Sequence, residues 1–365
     1  MPAGIIGNQQ LTLLDHAKRK DPDGKIARIV EMLNRVNNVM EDMAMIEGNT
    51  QTGHVTTVRT GLPSIAWRSI NTGVQPSKSV TKQLTVAAGM LEGMGKVDEK
   101  LVELAEDGQA FRLSEVSPFM ESFSQTLSTT LFYGDTRVNP DRFTGLSAYY
   151  ANLNASYQAN PDTLVNPSAT APDSGRNVFD ASVNSAGETF GDPTQGKNTS
   201  LWLICWGEQS VHGFYPKGSK AGIYHEDKGK WLVDDGRGLG ASYWAWIDQY
   251  RAEMGLCVRD WRQAVRICNI DTVALASAGD DVDTSQNLIK NAVQAVNYLQ
   301  FPEAGKVAFY CNRFLKTYLE VKAMNKSNNV ISFETLEDGK KITKLMGYPI
   351  RRVDALLNTE AQVTA

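Results

Sequence analysis

Residues 117–135 read Ser117-Pro-Phe-Met-Glu-Ser-Phe-Ser-Gln-Thr-Leu-Ser-Thr-Thr-Leu-Phe-Tyr-Gly-Asp135. Phe119, Phe123, Leu127 and Leu131 recur at spacings of four, and Met120 and Phe132 widen the stripe. On a helix these positions share one face. Ser117 followed by Pro118 offers an N-cap and a first-turn proline. Gly134 offers a stop. The spacing predicts one helix of about 15 residues, about 22 Å long at 1.5 Å per residue.

Working back from this helix, residues 96–106 also read as helical. Leu84, Val86, Ala88 and Met90 alternate with polar or small residues, the mark of a strand with one buried face. Residues 47–80 differ in kind. Gly48, Gly53, Gly61, Pro63, Gly73 and Pro76 punctuate short β-prone runs such as Val55-Thr-Thr-Val-Arg59 and Ser64-Ile-Ala-Trp67. Too few apolar residues occur there to build a core, and the pattern predicts a long projecting hairpin. A lone two-stranded hairpin is marginal in water, so a neighbouring subunit is its natural support. Before it, Ile26, Ile29, Val30, Leu33, Val36, Met40 and Met43 mark an amphipathic helix over 24–44, with Asp23 as N-cap. That helix is either part of the core or an arm that packs on a neighbour.

Forward of the helix, residues 151–200 are rich in Asn, Ser, Ala, Pro and Gly, with only Arg176 and Lys197 basic. They read as a long surface excursion. Leu201-Trp-Leu-Ile-Cys-Trp206 is a continuous apolar run, as in a buried strand. Val211–Tyr215, 242–250 and 256–270 continue in β style. Asp283 with Gln286 resembles a capping box opening a helix that carries Leu288, Ile289, Ala292, Val293, Val296 and Leu299. Lys306–Cys311 reads as a strand, Asn312 as the cap of a further helix, 337–340 as a charged hairpin turn, and Tyr348–Val353 as a last strand.

The 365 residues carry a net charge of −4, with 42% hydrophobic and 21% charged residues. This is ordinary for a folded protein. No apolar run reaches the ~18 residues of a membrane span, and the N-terminus lacks a secretion signal, so synthesis in the cytoplasm is expected. The longest basic run, Lys18-Arg19-Lys20, is followed by Asp21 and Asp23, which argues against a dedicated nucleic-acid reader. Cys205, Cys257, Cys268 and Cys311 form no CxxC pair and read as buried free thiols. His16, His54, His212 and His225 show no local zinc spacing. Asp281 opens no EF-hand, because positions six and twelve of that loop hold Gln286 and Ala292. Gly236, Gly238 and Gly240 match no phosphate-binding fingerprint, and no GxSxG elbow occurs. The carboxylates at 226–227 and 234–235 read as loop charge, and Trp202, Trp206, Trp244, Trp246 and Trp261 as core. No catalytic residue, cofactor or metal is expected.

The ordered elements carry a resemblance. Leu131-Phe-Tyr-Gly-Asp135 followed by Arg142-Phe-Thr-Gly-Leu146, Gln75-Pro-Ser-Lys-Ser-Val leading into Thr81-Lys-Gln-Leu, Lys306-Val-Ala-Phe-Tyr-Cys-Asn312, and Leu345-Met-Gly-Tyr-Pro-Ile350 occur in sequence. Together they resemble the major capsid proteins of tailed double-stranded-DNA bacteriophages, the Hong Kong ninety-seven-type shell fold.

The resemblance implies an α+β fold with seven parts. These are an N-terminal arm (1–46), an extended hairpin loop (47–80), a peripheral domain with the spine helix (81–150), the excursion (151–200), peripheral-domain strands (201–275), an axial domain (276–350) and a C-terminal tail (351–365). Strands similar to the family's closing ones, Leu201–Tyr215 and Gly255–Ile270, precede the axial-like helix, which implies a permuted chain order. The implied function is a non-enzymatic virion protein that assembles with itself into hexamers and pentamers of an icosahedral head. Implied partners are a portal, separate scaffolding or decoration proteins, since no fused scaffolding domain fits before the hairpin, and weak non-specific contact with packaged DNA. Residues expected at subunit contacts are Ile26, Leu33, Met40, Val55, Arg59, Trp67, Arg68 and Lys78. A soluble β-rich enzyme acting on carbohydrate, through the 226–235 carboxylates beside tryptophans, is the alternative of another class. A tail or decoration protein is a third.

Overall fold

The apolar run at 201–206 forms most of strand Asn198–Trp206, and every residue of that strand is buried. The computed structural model describes residues 37–105, 107–114, 116–153, 177–182, 191–234, 241–277, 282–324, 330–335 and 341–364. These form two compact units. One comprises 90–127 and 220–253. The other comprises 37–89, 128–219 and 254–364. The division falls inside helix Val116–Tyr133 and inside strand Ser242–Val258.

In the larger unit, Asn198–Trp206 is flanked on both sides. Lys306–Cys311 runs antiparallel along one edge, with Tyr310 opposite Trp202. Ala264–Asp271 runs antiparallel along the other, with Arg266 opposite Trp202. Outside Lys306–Cys311 lies Tyr348–Arg352 in parallel, then Lys341–Leu345 and Ile331–Thr335. Both faces of this strand are covered, one by helices and the other by an aromatic layer, which is why it does not alternate. Leu201, Leu203 and Cys205 face helix Val282–Tyr298, through Leu288 and Ala292, and helix Arg313–Ala323, through Leu315 and Leu319. Burial of each such side chain contributes about 1.5–3 kcal/mol. Asn312 caps the second helix, accepting from the Leu315 N–H at 2.8 Å.

The opposite face carries Trp202, Trp206 and Tyr310, all fully buried. Phe132 and Tyr150 pack on Trp202, at ring separations of 6.1 and 5.8 Å. Trp206 donates to the Tyr310 hydroxyl at 2.8 Å, which in turn donates to Asp42 at 2.9 Å. Below this layer Arg266 pairs with Glu360 at 2.9 Å, and Ser200 and Tyr133 both donate to the same carboxylate.

The smaller unit pairs Ile223–Asp234 with Ser242–Val258 in a long hairpin, with Leu232 opposite Trp244. Gly93 and Gly95, in strand Gly89–Asp98, lie under Phe119 and Phe123 of the long helix. A Cβ on Gly93 would come within 3.1 Å of the Phe123 ring. Small residues here let strand and helix approach closely. Val97, Leu101, Ala105 and Phe111 form a second small core.

Several expectations are refined. The long helix starts at Val116, so Ser117 is its second residue and not its cap; Pro118 still falls in the first turn, where no N–H is needed. Buried Phe123, Leu127, Leu131 and Phe132 trace the expected stripe. Of the helix expected over 24–44, residues 24–36 lie outside the described residues. The rest is a four-residue turn, Val39–Asp42, followed by strand Met45–Glu47. That helical segment falls inside the expected range and ends two residues before 44; Met45–Glu47, beyond it, pairs in parallel with Val211–Tyr215.

Helix Val282–Tyr298 already includes Asp283, which therefore lies in its first turn and is not its cap. The 151–200 segment, read as surface, contains buried strand Val178–Asp180 and the start of Asn198–Trp206. Polar residues beside the strand find partners within the fold: Asn177 donates to the Trp261 and Ala264 carbonyls, and Ser182 binds Asp180. The expected boundary between 275 and 276 falls inside one compact unit, because Lys306–Cys311 pairs directly with Asn198–Trp206. Trp244 is half-exposed on the outer face of the 223–253 hairpin and is not core.

Candidate assembly surfaces

Gly53–Gly61 and Val80–Ala87 pair antiparallel as a separate two-stranded sheet, from Gly53 opposite Ala87 to Gly61 opposite Val80. Its base is held. Val86 is buried against Phe214 and Cys257, and Asn49 clamps the Val55 backbone by donating to its carbonyl at 2.6 Å and accepting from its N–H at 2.8 Å. Beyond Gly61 the two chain segments are tied at Ser77–Ser64 (2.7 Å) and turn at Ser69–Thr72, where Asn71 takes a left-handed φ of 66°. Gly61 and Ser69 are eight Cα–Cα steps apart, enough for a reach of up to ~28 Å past the ladder.

Among the polar side chains of this tip stand several large apolar ones. Leu62 is 81% exposed, Ile65 94%, Trp67 104% and Ile70 91%. Single exposed apolar residues are ordinary; four within nine positions on one projection are not. Burying them would contribute about 1.5–3 kcal/mol each.

Among the expected contact residues, Val55, Arg59, Trp67, Arg68 and Lys78 all fall on this hairpin. Val55 is half-buried, and the other four are exposed. Met40 belongs to the Val39–Asp42 turn and is half-buried. Ile26 and Leu33 lie outside the described residues. Sequence reasoning did not find a second exposed apolar pair, Leu232 with Trp244, on one face of the 223–253 hairpin, having read Trp244 as core. The alternation that puts Leu232 beside Trp244 emerges only from the cross-strand register.

Groups that could do chemistry are otherwise engaged. Asp227 pairs with Arg112 at 2.9 Å and Glu226 with Lys228 at 2.6 Å. The guanidinium of Arg112 also binds Asp248 at 2.7 Å and stacks on Trp246, and His225 reaches the same Asp248 at 2.8 Å. All four cysteines are free and buried. Burial pushes the Cys311 thiol up to about 12 and the Cys257 thiol up to about 11, so neither is a ready nucleophile. Among the described residues, His54, His212 and Cys257 bring their donor atoms within 4.8 Å of one another. No described helix is long and apolar enough to cross a membrane.

The model for the family described as major capsid protein GP7 matches residues 21–364. A chain in the cryo-EM structure of bacteriophage Epsilon15 is 32% identical, with all of both chains covered and a TM-score of 0.73. The bacteriophage JBD30 capsid is 9% identical over 94% of this chain and 99% of that one, with a TM-score of 0.49. The capsid of a native GTA particle is 9% identical over 68% and 94%, at 0.43. None of the curated proteins matches. Matched from Asp21 to Thr364 by one family model, and end to end by a phage chain at 32% identity, the chain belongs to the major capsid protein GP7 family and is a structural protein of the phage head shell, not an enzyme.

Proposed function

We propose that the subunit builds hexamers and pentamers of the shell by laying the 53–87 hairpin, and an arm within 1–46, across neighbouring subunits. The observation that carries this reading is the cluster of exposed Leu62, Ile65, Trp67 and Ile70 on a projection that no other described part of the chain covers. Arg59, Arg68 and Lys78 add positive charge on the same hairpin, suited to acidic groups on the receiving subunit. Trp and Arg side by side at 67–68 are the residue types that dominate interface energetics. Contacts of this head-to-tail kind close into rings when the rotation between subunits allows it.

The long helix Val116–Tyr133 serves as the spine of a peripheral region, and 276–350 faces the centres of the hexamers and pentamers. A portal, together with separate scaffolding or decoration proteins, completes the head, and synthesis takes place in the host cytoplasm. A chain of net charge −4 meets packaged DNA weakly and without sequence preference.

The test is electron microscopy of the purified full-length protein beside two variants, one lacking 1–36, which keeps the buried Val39 and Asp42, and one with 62–79 replaced by a short turn. The full chain is expected to give rings or closed particles. Both variants are expected to remain folded by circular dichroism yet fail to form stable shells. Normal particles from either variant would overturn the role given to that segment.

A further inference from the structure

We infer that His54, His212 and Cys257 form a site for one thiophilic divalent cation of the zinc type, clipping the base of the projecting hairpin to the sheet. This goes beyond the shell role and does not depend on it. His212, in Val211–Tyr215, and Cys257, in Ser242–Val258, are direct antiparallel partners, so their side chains leave the sheet on the same face. His54, the second residue of Gly53–Gly61, brings its ring edge-to-face with His212 at 5.5 Å. The three donor atoms lie within 4.8 Å of one another. Tetrahedral zinc, with bonds of about 2.0–2.3 Å, needs donors about 3.3–3.8 Å apart. Small side-chain rotations close that gap.

The donor atoms are poised for this. Both ring nitrogens of His212, a residue only 1% exposed, have no hydrogen-bond partner on the protein, and neither does Nδ1 of His54. Polar atoms so buried are normally paired. The Gly207 backbone exerts only a weak pull on the His212 ring and does not meet hydrogen-bond geometry. Burial, with His54 and Arg259 adding to it, pushes His212 down to about 4, so the ring is neutral, the form that ligates a metal. The Cys257 thiol holds its proton, and binding exchanges that proton for the metal: thiol plus M²⁺ gives a thiolate–metal bond and one released H⁺. The thiolate offsets one of the two metal charges, which moderates repulsion from the nearby Arg259. Two imidazoles and a thiolate, with no carboxylate among them, favour zinc or cobalt over magnesium or calcium. Val86 and Phe214 wall the site with apolar surface.

No local spacing rule could find these residues, because the three strands that bring them together are far apart in sequence. Shells purified without chelator are expected to hold about one zinc per subunit by elemental analysis, as one set of three protein donors, with water as the fourth ligand, binds one ion. Stripped protein titrated with Co²⁺ should develop visible d–d bands and a thiolate-to-cobalt charge-transfer band. Cys257→Ser should abolish the charge-transfer band. His212→Gln and His54→Gln should each weaken binding beyond the ~10–100-fold typical of losing an outer-shell partner. A double variant, His212→Gln with Cys257→Ser, that binds Co²⁺ like the parent would show the metal to be elsewhere and overturn the proposal. Failure of Zn²⁺ to raise the melting temperature of chelator-stripped wild-type protein would overturn it too, and that measurement needs no variant to fold.

Discussion

The guanidinium of Arg266 and the carboxylate of Glu360 meet at 2.9 Å with their side chains only 5% and 4% exposed. Arg266 also donates to the Tyr150 carbonyl at 3.0 Å and lies over the Trp202 ring. Ser200 and Tyr133 donate to Glu360. Charges taken this far from water are costly unless each remains paired. Glu360→Ala should therefore destabilise the folded subunit by about 3–5 kcal/mol, since it strands a buried guanidinium. The apolar pair Arg266→Met with Glu360→Leu should recover most of that loss. Chemical denaturation of the two variants beside the parent checks both statements.

Gly134 and Gly145 are locked backbone to backbone, the N–H of Gly145 donating to the Gly134 carbonyl at 2.8 Å. A Cβ on Gly134 would stand 2.3 Å from the Phe143 carbonyl, and one on Gly145 would stand 2.4 Å from that of Thr130. Neither neighbour is a side chain that can swing aside. Gly134→Ala and Gly145→Ala should each cost about 1–3 kcal/mol, in the range of forced overpacking. A lowered melting temperature reads out the loss, and an unchanged one would mean the 134–146 turn is loose in solution.

Trp67, Ile65 and Ile70 make no stabilising contribution to the isolated subunit, which leaves them exposed. Substituting each by Ser should leave monomer unfolding unchanged within about 0.5 kcal/mol, as for other surface positions. The protein concentration needed for assembly should rise roughly tenfold or more per substitution, because each loses ~1.5–3 kcal/mol of burial. Light scattering against concentration measures this directly.

Hydrogen bonding by Arg112 holds the Asp227 carboxyl below its ordinary range, burial working the other way. A carboxyl depressed in the folded state adds stability that is fully present above its unfolded value, about 3.9, and is lost as pH falls through the folded value. Asp227 is half-exposed, so the contribution is small. Asp227→Asn should lower stability near neutral pH and flatten its decline below about pH 4. Denaturation curves at several acidic pH values compare the two slopes.

What could be read beforehand was whatever the local pattern encodes. The four-residue spacing from Phe119 to Leu131, the cap at Asn312 and the unbroken run at 201–206 each state their own burial. Gly134 was legible as the stop of the long helix, but its close approach to the Phe143 carbonyl was not. Other features depend on partners far off in sequence. Nothing near Arg266 points to Glu360, and nothing near His54 points to His212 or Cys257. Val178–Asp180 was hidden because its polar neighbours satisfy themselves inside the fold, where composition suggests solvent. Trp244 misled in the opposite direction: a residue type usually buried sits half-exposed on an outer hairpin.

The central strand Asn198–Trp206 has a consequence for how the protein is made. Both strands that flank it, 264–271 and 306–311, leave the ribosome later than it does, and the strand that covers 306–311 comes later still, at 348–352. At about 5–20 residues per second, the most apolar strand of the chain waits seconds for its neighbours and must be kept from other nascent chains in the interval. A product cut short before residue 306 would lack one wall of that sheet and could not take up the subunit's shape. A chain ended before residue 306 is therefore expected to fail at folding, before it can meet another subunit.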